Sequence, residues 1–425
     1  LTQDAHDFFS TNRQKKSGFD LRIAKASLMS PRIFFSVGEP SGDQHAAHLI
    51  DELLKIDSQI QIRGFGGPAM REAGCRIDVE LTQHAVMGFL EVLPKLRQFF
   101  RFAEQAEALF QHSVVDAVIL VDFPGFNWHI AKAAKKHGIP VFYYCPPQLW
   151  AWGKWRLKKM RRTVDEVLAV LPVEEQFFTS NGIHTTYVGH PFFDAVHQSE
   201  LHLPTLERFA QERLTGKKLV AVLPGSRRHE VERNWPLMLE AIRRIHRSQP
   251  DVKFLVAAYR ENQCLFCRNA LTTEDQRLPI DFYVGRTSEI IEASECAMMV
   301  SGSVSLELMA RKTPAVVIYR IGRFFYEIGK RLVNLDSFTL PNLMGKGKVY
   351  PEFISVGNPE PAIEMLASSI NRFLGDTDYS LKVREELQDL ADQFATPGAS
   401  NRAAHCILSK LSARSGKTEL SSSNP

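Results

Sequence analysis

Two loops in the second half of the chain pair small residues with charge in a way that suits phosphate. Pro224-Gly225-Ser226-Arg227-Arg228-His229-Glu230 follows the apolar run Leu219 to Leu223 and leads into a helical pattern. Amides at a helix start beside a bidentate guanidinium would hold a diphosphate, although an ordinary strand-to-helix turn with surface arginines reads the same way. Ser301-Gly302-Ser303-Val304-Ser305-Leu306-Glu307 follows the run Ala297 to Val300. Its small residues let a ligand approach the backbone, and the helix dipole favours negative charge there. Glu307, one turn on, could accept hydrogen bonds from ribose hydroxyls or could be a first-turn capping partner. Neither loop follows the Walker or GxGxxG pattern, which argues against a nucleotide triphosphatase or a dehydrogenase.

The first half places carboxylates after strand-like runs. Val37 is followed by Gly38-Glu39-Pro40-Ser41-Gly42-Asp43, and Val121 by Asp122-Phe123-Pro124-Gly125-Phe126-Asn127. One such carboxylate could act as general base on a sugar hydroxyl while a diphosphate leaves. The alternative for Asp122 is a cap or turn residue ahead of a helix near Asn127. No Asp-x-Asp follows a strand; Asp376-Thr377-Asp378 lies in a helical tail. No metal and no cofactor are therefore expected, and leaving-group charge falls to Arg227 and the helix amides.

Elements that position these loops alternate along the chain. Short β-branched or aromatic runs separated by amphipathic stretches predict βαβ units and parallel sheets. The first series comprises Ile33 to Val37, Gln61 to Phe65, Ala117 to Val121, Val141 to Tyr144, Glu166 to Val170 and Thr185 to Val188. After Val188-Gly189-His190-Pro191 a second series follows: Leu219 to Leu223, Phe254 to Ala257, Ile280 to Val284, Ala297 to Val300 and Ala315 to Tyr319. The expected fold class is α/β, with two doubly wound Rossmann-like domains facing a cleft, and ligands beyond the carboxyl ends of the strands. The expected division is a disordered or misassigned start over 1–29, domains over 30–190 and 191–358, C-terminal helices over 359–411, and a disordered tail over 412–425. Met29, just before the first strand, motivates the alternative start.

Composition sets the outer limits. With 425 residues, 44% hydrophobic and 24% charged, the chain has room for two cores, and a net charge of +4 does not point to nucleic acid. Six scattered cysteines suit a reducing compartment; Cys264 and Cys267 have metal spacing without a second pair, so two small side chains on a helix is the preferred reading. The first 29 residues lack a secretory apolar core, and no apolar run is long enough to span a bilayer. Phe89, Val92, Leu93, Leu96, Phe99 and Phe100 keep helical spacing with Lys95, Arg97 and Arg101 among them. That stripe could lie in a membrane interface or pack into a core. Trp150, Trp152 and Trp155, running into Lys158, Lys159, Arg161 and Arg162, form a second aromatic and basic candidate.

Taken in order, these motifs resemble the lipid-A-disaccharide synthase family. The resemblance spans about Arg32 to Leu411 and rests on the loops quoted above together with Ala85-Val86-Met87-Gly88-Phe89-Leu90-Glu91-Val92, Trp150-Ala151-Trp152 and Leu340-Pro341-Asn342-Leu343. It implies the GT-B architecture and an inverting, metal-independent transfer. The reaction would join UDP-2,3-diacylglucosamine to 2,3-diacylglucosamine 1-phosphate (lipid X), releasing UDP and forming a β(1→6) disaccharide 1-phosphate. By the same resemblance Asp122 is the base on the acceptor 6-hydroxyl. Gly225, Ser226, Arg227, Gly302, Ser303, Glu307 and Asn342 fall in the donor site; Glu39, Ser41, Gly42, Asp43, Asn127 and His190 fall on the acceptor side. Phe89 to Phe100 becomes a membrane-facing element, the protein a cytoplasmic one bound peripherally to the inner membrane. The C-terminal helices return to the N-terminal domain, with a homodimer exchanging them as one form. Where the family often has Gln after a Pro-Glu pair, Ser355 follows Pro351-Glu352-Phe353-Ile354, which questions one donor contact. Two rivals remain, a UDP-sugar epimerase on the same plan and a non-catalytic membrane-surface module.

Overall fold

Runs of Val, Ile, Phe and Tyr without turn residues form the central strands, buried along nearly their whole length. The computed structural model describes residues 30–85, 96–112, 115–332, 337–345 and 347–422. The expectation for residues 1–29 lies outside them, as do Phe89, Val92 and Leu93 of the proposed membrane stripe.

Thirteen strands among the described residues form two sheets. The first contains β1 (Arg32–Val37), β2 (Gln61–Gly66), β3 (Arg76–Glu80), β4 (Ala117–Val121), β5 (Val141–Tyr144), β6 (Glu166–Ala169) and β7 (Thr185–Tyr187) in the order β3-β2-β1-β4-β5-β6-β7. The second contains β8 (Lys218–Leu223), β9 (Val252–Ala258), β10 (Ile280–Val284), β11 (Cys296–Val300), β12 (Ala315–Ile321) and β13 (Glu352–Val356) in the order β10-β9-β8-β11-β12-β13. In each sheet the first strand of the series lies between the second and fourth, which is the Rossmann order with its switch point beside that strand. β1 runs parallel to β4 with Val37 opposite Val121, and β8 parallel to β11 with Leu223 opposite Met299. The loops after these four strands are the four that the sequence singled out.

Two edge strands were not expected. β3 is half-exposed to exposed throughout, and β13 buries fully only Ser355. Edge strands need no continuous apolar run, so the pattern that reveals a central strand is missing.

The chain packs as two compact units. One holds the described parts of Leu1–Pro147 with Met160–Leu168 and Ser400–Pro425; the other holds Gln148–Lys159 and Ala169–Ala399. By backbone hydrogen bonding the first sheet nevertheless continues to β7. The C-terminal helices divide between the units, where the sequence reading sent all of 359–411 to the N-terminal domain. Helix Glu360–Gly375 buries Ala362, Ile363, Leu366 and Ile370 in the second unit, where its Glu360 pairs with Arg244 of helix Arg228–Ser248 at 2.6 Å. Helix Ala399–Ser422 belongs from Ser400 to the first unit, with Lys410 on Glu166 at 2.7 Å and Asn401 on Glu52 at 2.6 Å. It also runs past Ser412, where a disordered tail was expected; Ala, Arg, Lys, Glu and Leu in that stretch are good helix formers.

Candidate active site

The chain leaves β4 through a left-handed pair, Asp122 at φ 46° and Phe123 at φ 45°. Asp tolerates this region, but a bulky aromatic rarely enters it, and such residues cost about 1–3 kcal/mol each. Local contacts offset that strain. Asn127, wholly buried, donates from Nδ2 to the Asp122 carbonyl at 2.8 Å and accepts the Ser36 hydroxyl at 2.7 Å on Oδ1. The same amide reaches the carbonyls of Ser36 and Val121, tying together the ends of β1 and β4. The Tyr143 hydroxyl donates to the Asp122 carbonyl at 2.9 Å. Phe123, not Asp122, is the capping position of helix Pro124–Lys136, with Pro124 in its first turn. Of the structural alternatives for Asp122, the cap position is taken by Phe123, while the turn holds: Asp122 stands half-buried in the turn ahead of the helix.

The loop after β1 supports this turn. A Cβ on Gly38 would stand 2.2 Å from the Phe123 ring, so only glycine fits. Glu39, half-buried, occupies the N-cap position of helix Pro40–Ile56 without a side-chain capping bond, Ser41 is exposed and Gly42 is buried. Asp43 departs from the expected cleft role. Its buried carboxylate accepts the amides of Gly67 at 2.8 Å, Ala69 at 3.0 Å and Met70 at 3.3 Å, capping helix Pro68–Glu72. Asn127 likewise is a buried clamp rather than a ligand contact.

In the second unit, Gly225 sits at φ 126° with no room for a Cβ beside Glu230. Glu230 is buried and accepts the amides of Ser226 and Arg227, both at 3.1 Å. Those amides, expected to meet phosphate, are thus engaged by a carboxylate at the third helical position. Gln263 further holds the Ser226 carbonyl at 2.8 Å. The Arg227 side chain remains 65% exposed, 3.4 Å from Glu230, and Arg228 beside it is 82% exposed and paired with Glu232 at 2.6 Å. Gly302 and Ser303 are exposed after β11, with the Ser305 hydroxyl bonded to the Gly302 carbonyl at 2.7 Å.

Four further sequence candidates have internal partners. Glu307 is buried against Arg311 at 3.0 Å, and Arg311 reaches Glu292 at 2.8 Å. Asn342 is buried; it donates to the Tyr350 carbonyl at 2.8 Å, accepts the Tyr350 amide at 2.9 Å, and bonds Glu352. Glu352, which sequence reasoning did not single out, also accepts the amides of Phe338 at 3.0 Å and Thr339 at 3.1 Å. It therefore caps helix Leu340–Met344, and Asn342 shapes this loop from within. Ser355 is fully buried and accepts a hydrogen bond from Arg320 at 3.3 Å. His190 accepts the Phe192 amide on Nδ1 at 3.2 Å and lies edge-on to the Phe193 ring.

The aromatic stripe splits. Phe99 packs on Phe123 and Phe126 with ring centroids 6.1 and 5.7 Å apart, joining a cluster that includes Phe65 and Phe102, whereas Phe100 is 52% exposed. Trp150 is buried, while Trp152 and Trp155 are 40% and 65% exposed with the Arg156 guanidinium over both rings. No described helix is long and apolar enough to cross a membrane.

Among solved structures, the chain is similar to the S. aureus MnaA–UDP co-structure (TM-score 0.63, 12% identity, 90% of this chain and 97% of that one) and to the calicheamicin glycosyltransferase CalG4 (TM-score 0.60, 12% identity, 90% and 99%). At such identity the likeness speaks to fold, and the fold is GT-B. With the sequence relatives below, the class is a GT-B glycosyltransferase. Residues 33–402 match the family described as LpxB, lipid-A-disaccharide synthetase. The lipid-A-disaccharide synthase of Syntrophus aciditrophicus is 35% identical over 386 residues (90% of this chain, 99% of the relative), and that of Geobacter sulfurreducens 32% over 389 (90% and 98%). The chain belongs to the lipid-A-disaccharide synthase family, a glycosyltransferase family of lipid A biosynthesis. The epimerase and the non-catalytic module fall with that assignment.

Proposed function

We propose that the protein transfers the 2,3-diacylglucosamine unit of UDP-2,3-diacylglucosamine to the 6-hydroxyl of 2,3-diacylglucosamine 1-phosphate, with inversion and without a metal ion. The observation that carries this reading is the Asp122 turn: a carboxylate residue held in a left-handed conformation at the end of β4, beside the first sheet's switch point, with its carbonyl bonded by two side chains, Asn127 and Tyr143. The Asp122 carboxylate takes the acceptor proton, the acceptor oxygen bonds to the anomeric carbon, and the bond from that carbon to the UDP oxygen breaks. UDP leaves with the electron pair. Its charge is met by the Arg227 guanidinium and by the helix start at Ser303, which lie beyond β8 and β11. Glu307 and Asn342 support the donor side from beneath its loops, and Asp43 and Asn127 hold the acceptor-side backbone.

Acyl chains keep both substrates in a bilayer, so the protein works as a peripheral protein on the cytoplasmic face of the inner membrane. Exposed Trp152 and Trp155 beside Lys154, Arg156 and Lys158 support this reading better than Phe99, which packs inward.

Asp122→Ala is expected to lower turnover by at least about a hundredfold while leaving UDP affinity within twofold. Mass analysis of the disaccharide formed from the two acylated substrates, with UDP titration by calorimetry, checks both. Near-wild-type turnover would remove Asp122 from the role, and UDP release without a disaccharide would mean another acceptor.

A further inference from the structure

The carbonyl of Asp122 receives two side-chain donors, and they differ in what else they hold. Asn127 also ties the carbonyls of Ser36 and Val121 and accepts the Ser36 hydroxyl, so it serves the ends of two strands at once. Tyr143 comes from β5, where it lies opposite Leu120, one residue before the end of β4. Its ring is fully buried edge-on to Trp128 at 5.8 Å, which fixes where the hydroxyl can be. That hydroxyl meets the Asp122 carbonyl at 2.9 Å. A carbonyl held at a set position restrains the peptide plane between Asp122 and Phe123, and with it the rotation of Asp122 about its Cα–C bond and the left-handed φ of Phe123 on the other side of that plane.

We propose that Tyr143 is a positioning residue for the transfer reaction: its hydroxyl, through the Asp122 carbonyl, keeps Asp122 in the left-handed conformation from which its carboxylate reaches the acceptor hydroxyl. Without the Tyr143 donor the carbonyl keeps only its bond from Asn127, and the looser peptide plane lets the backbone of Asp122, and with it the direction of its side chain, shift. The proposal rests on the reading of Asp122 as base. Tyr143 has no contact with substrate in this role, so its effect passes entirely through Asp122.

Tyr143→Phe keeps the ring packed on Trp128 and removes only the donor. Its kcat should fall about tenfold, the size of one hydrogen bond's difference, with KM for both substrates within twofold and the melting temperature close to wild type. A general loosening of the fold would instead raise KM and lower the melting temperature. In the Asp122→Ala background, single-turnover rates with enzyme in excess should be unchanged by adding Tyr143→Phe. Three results would overturn the proposal: Tyr143→Phe with wild-type kcat while Asp122→Ala is inactive, a loss carried mainly by KM and melting temperature, or a further tenfold fall in the double variant. If Asp122→Ala itself turns over normally, the base reading fails first, and that failure is distinguishable from the other three.

Discussion

Gly38 and Phe123 lie far apart in sequence and share one small volume, because the aromatic ring fills the space where a Cβ on residue 38 would stand. The left-handed Phe123 is what brings its ring there. Gly38→Ala should force that ring aside, lowering stability by about 1–3 kcal/mol, as overpacking does, and lowering turnover as the neighbouring Asp122 moves. Thermal melts and initial rates check this; an alanine variant as stable and active as wild type would show that the ring has another resting place. At this scale the sequence is unevenly legible. Asp122 and Arg227 stood out by residue type and place after a strand. Asp43 and Glu307 stood out for the same reason and Asn342 through the family resemblance, yet each has its polar atoms engaged inside its own unit. Residue type announces a carboxylate or an amide, and only the partners decide whether it faces a ligand. Glu230 had a readable signal in its place at the third helical position; Tyr143, inside an apolar strand, had none.

Helix Arg228–Ser248 joins the Arg227 loop at one end to a charged cluster at the other. Arg243 binds Asp275 through Nε and Nη2 at 2.7 and 2.8 Å, and Thr272 adds its amide and hydroxyl to the same carboxylate. The Arg243 guanidinium holds the Asp275 carboxyl well below the usual carboxylate range. A depressed carboxylate contributes stability that is complete above its unfolded value of about 3.9 and is lost as pH falls toward the folded one. Asp275→Asn should therefore cost about 2 kcal/mol at pH 7, with the gap to wild type narrowing as pH drops from 4 toward 3. Chemical denaturation at pH 7 and pH 3 measures it, and a gap of constant size would rule out charge pairing as its source. Element by element, the central strands were legible to within one or two residues because burial on both faces demands continuous apolar runs. β3 and β13 were not, since an edge needs no such run. Helix Pro124–Lys136 begins earlier than expected near Asn127, because the unusual cap is Phe123.

At the scale of the whole molecule, the patch proposed to meet a bilayer is aromatic and basic. Trp152 and Trp155 are exposed around Arg156, with Lys154 and Lys158 alongside. Trp152→Ala combined with Trp155→Ala should weaken sedimentation with vesicles of phosphatidylethanolamine and phosphatidylglycerol at least several-fold, and added salt should weaken wild-type binding by screening the cations. Unchanged binding in both experiments would place membrane contact on another surface. By itself the sequence determined the α/β class, two successive series of parallel strands, the family, and which loops carry small and charged residues. These are local patterns, written in the alternation and burial demands of consecutive residues. The tertiary structure alone decided that β1 lies beside β4 and β8 beside β11, so that four separate loops become two pairs at two switch points. It also decided which charged and amide groups are engaged within their unit, because their partners, such as Gly67 for Asp43 and Tyr350 for Asn342, are brought up by folding.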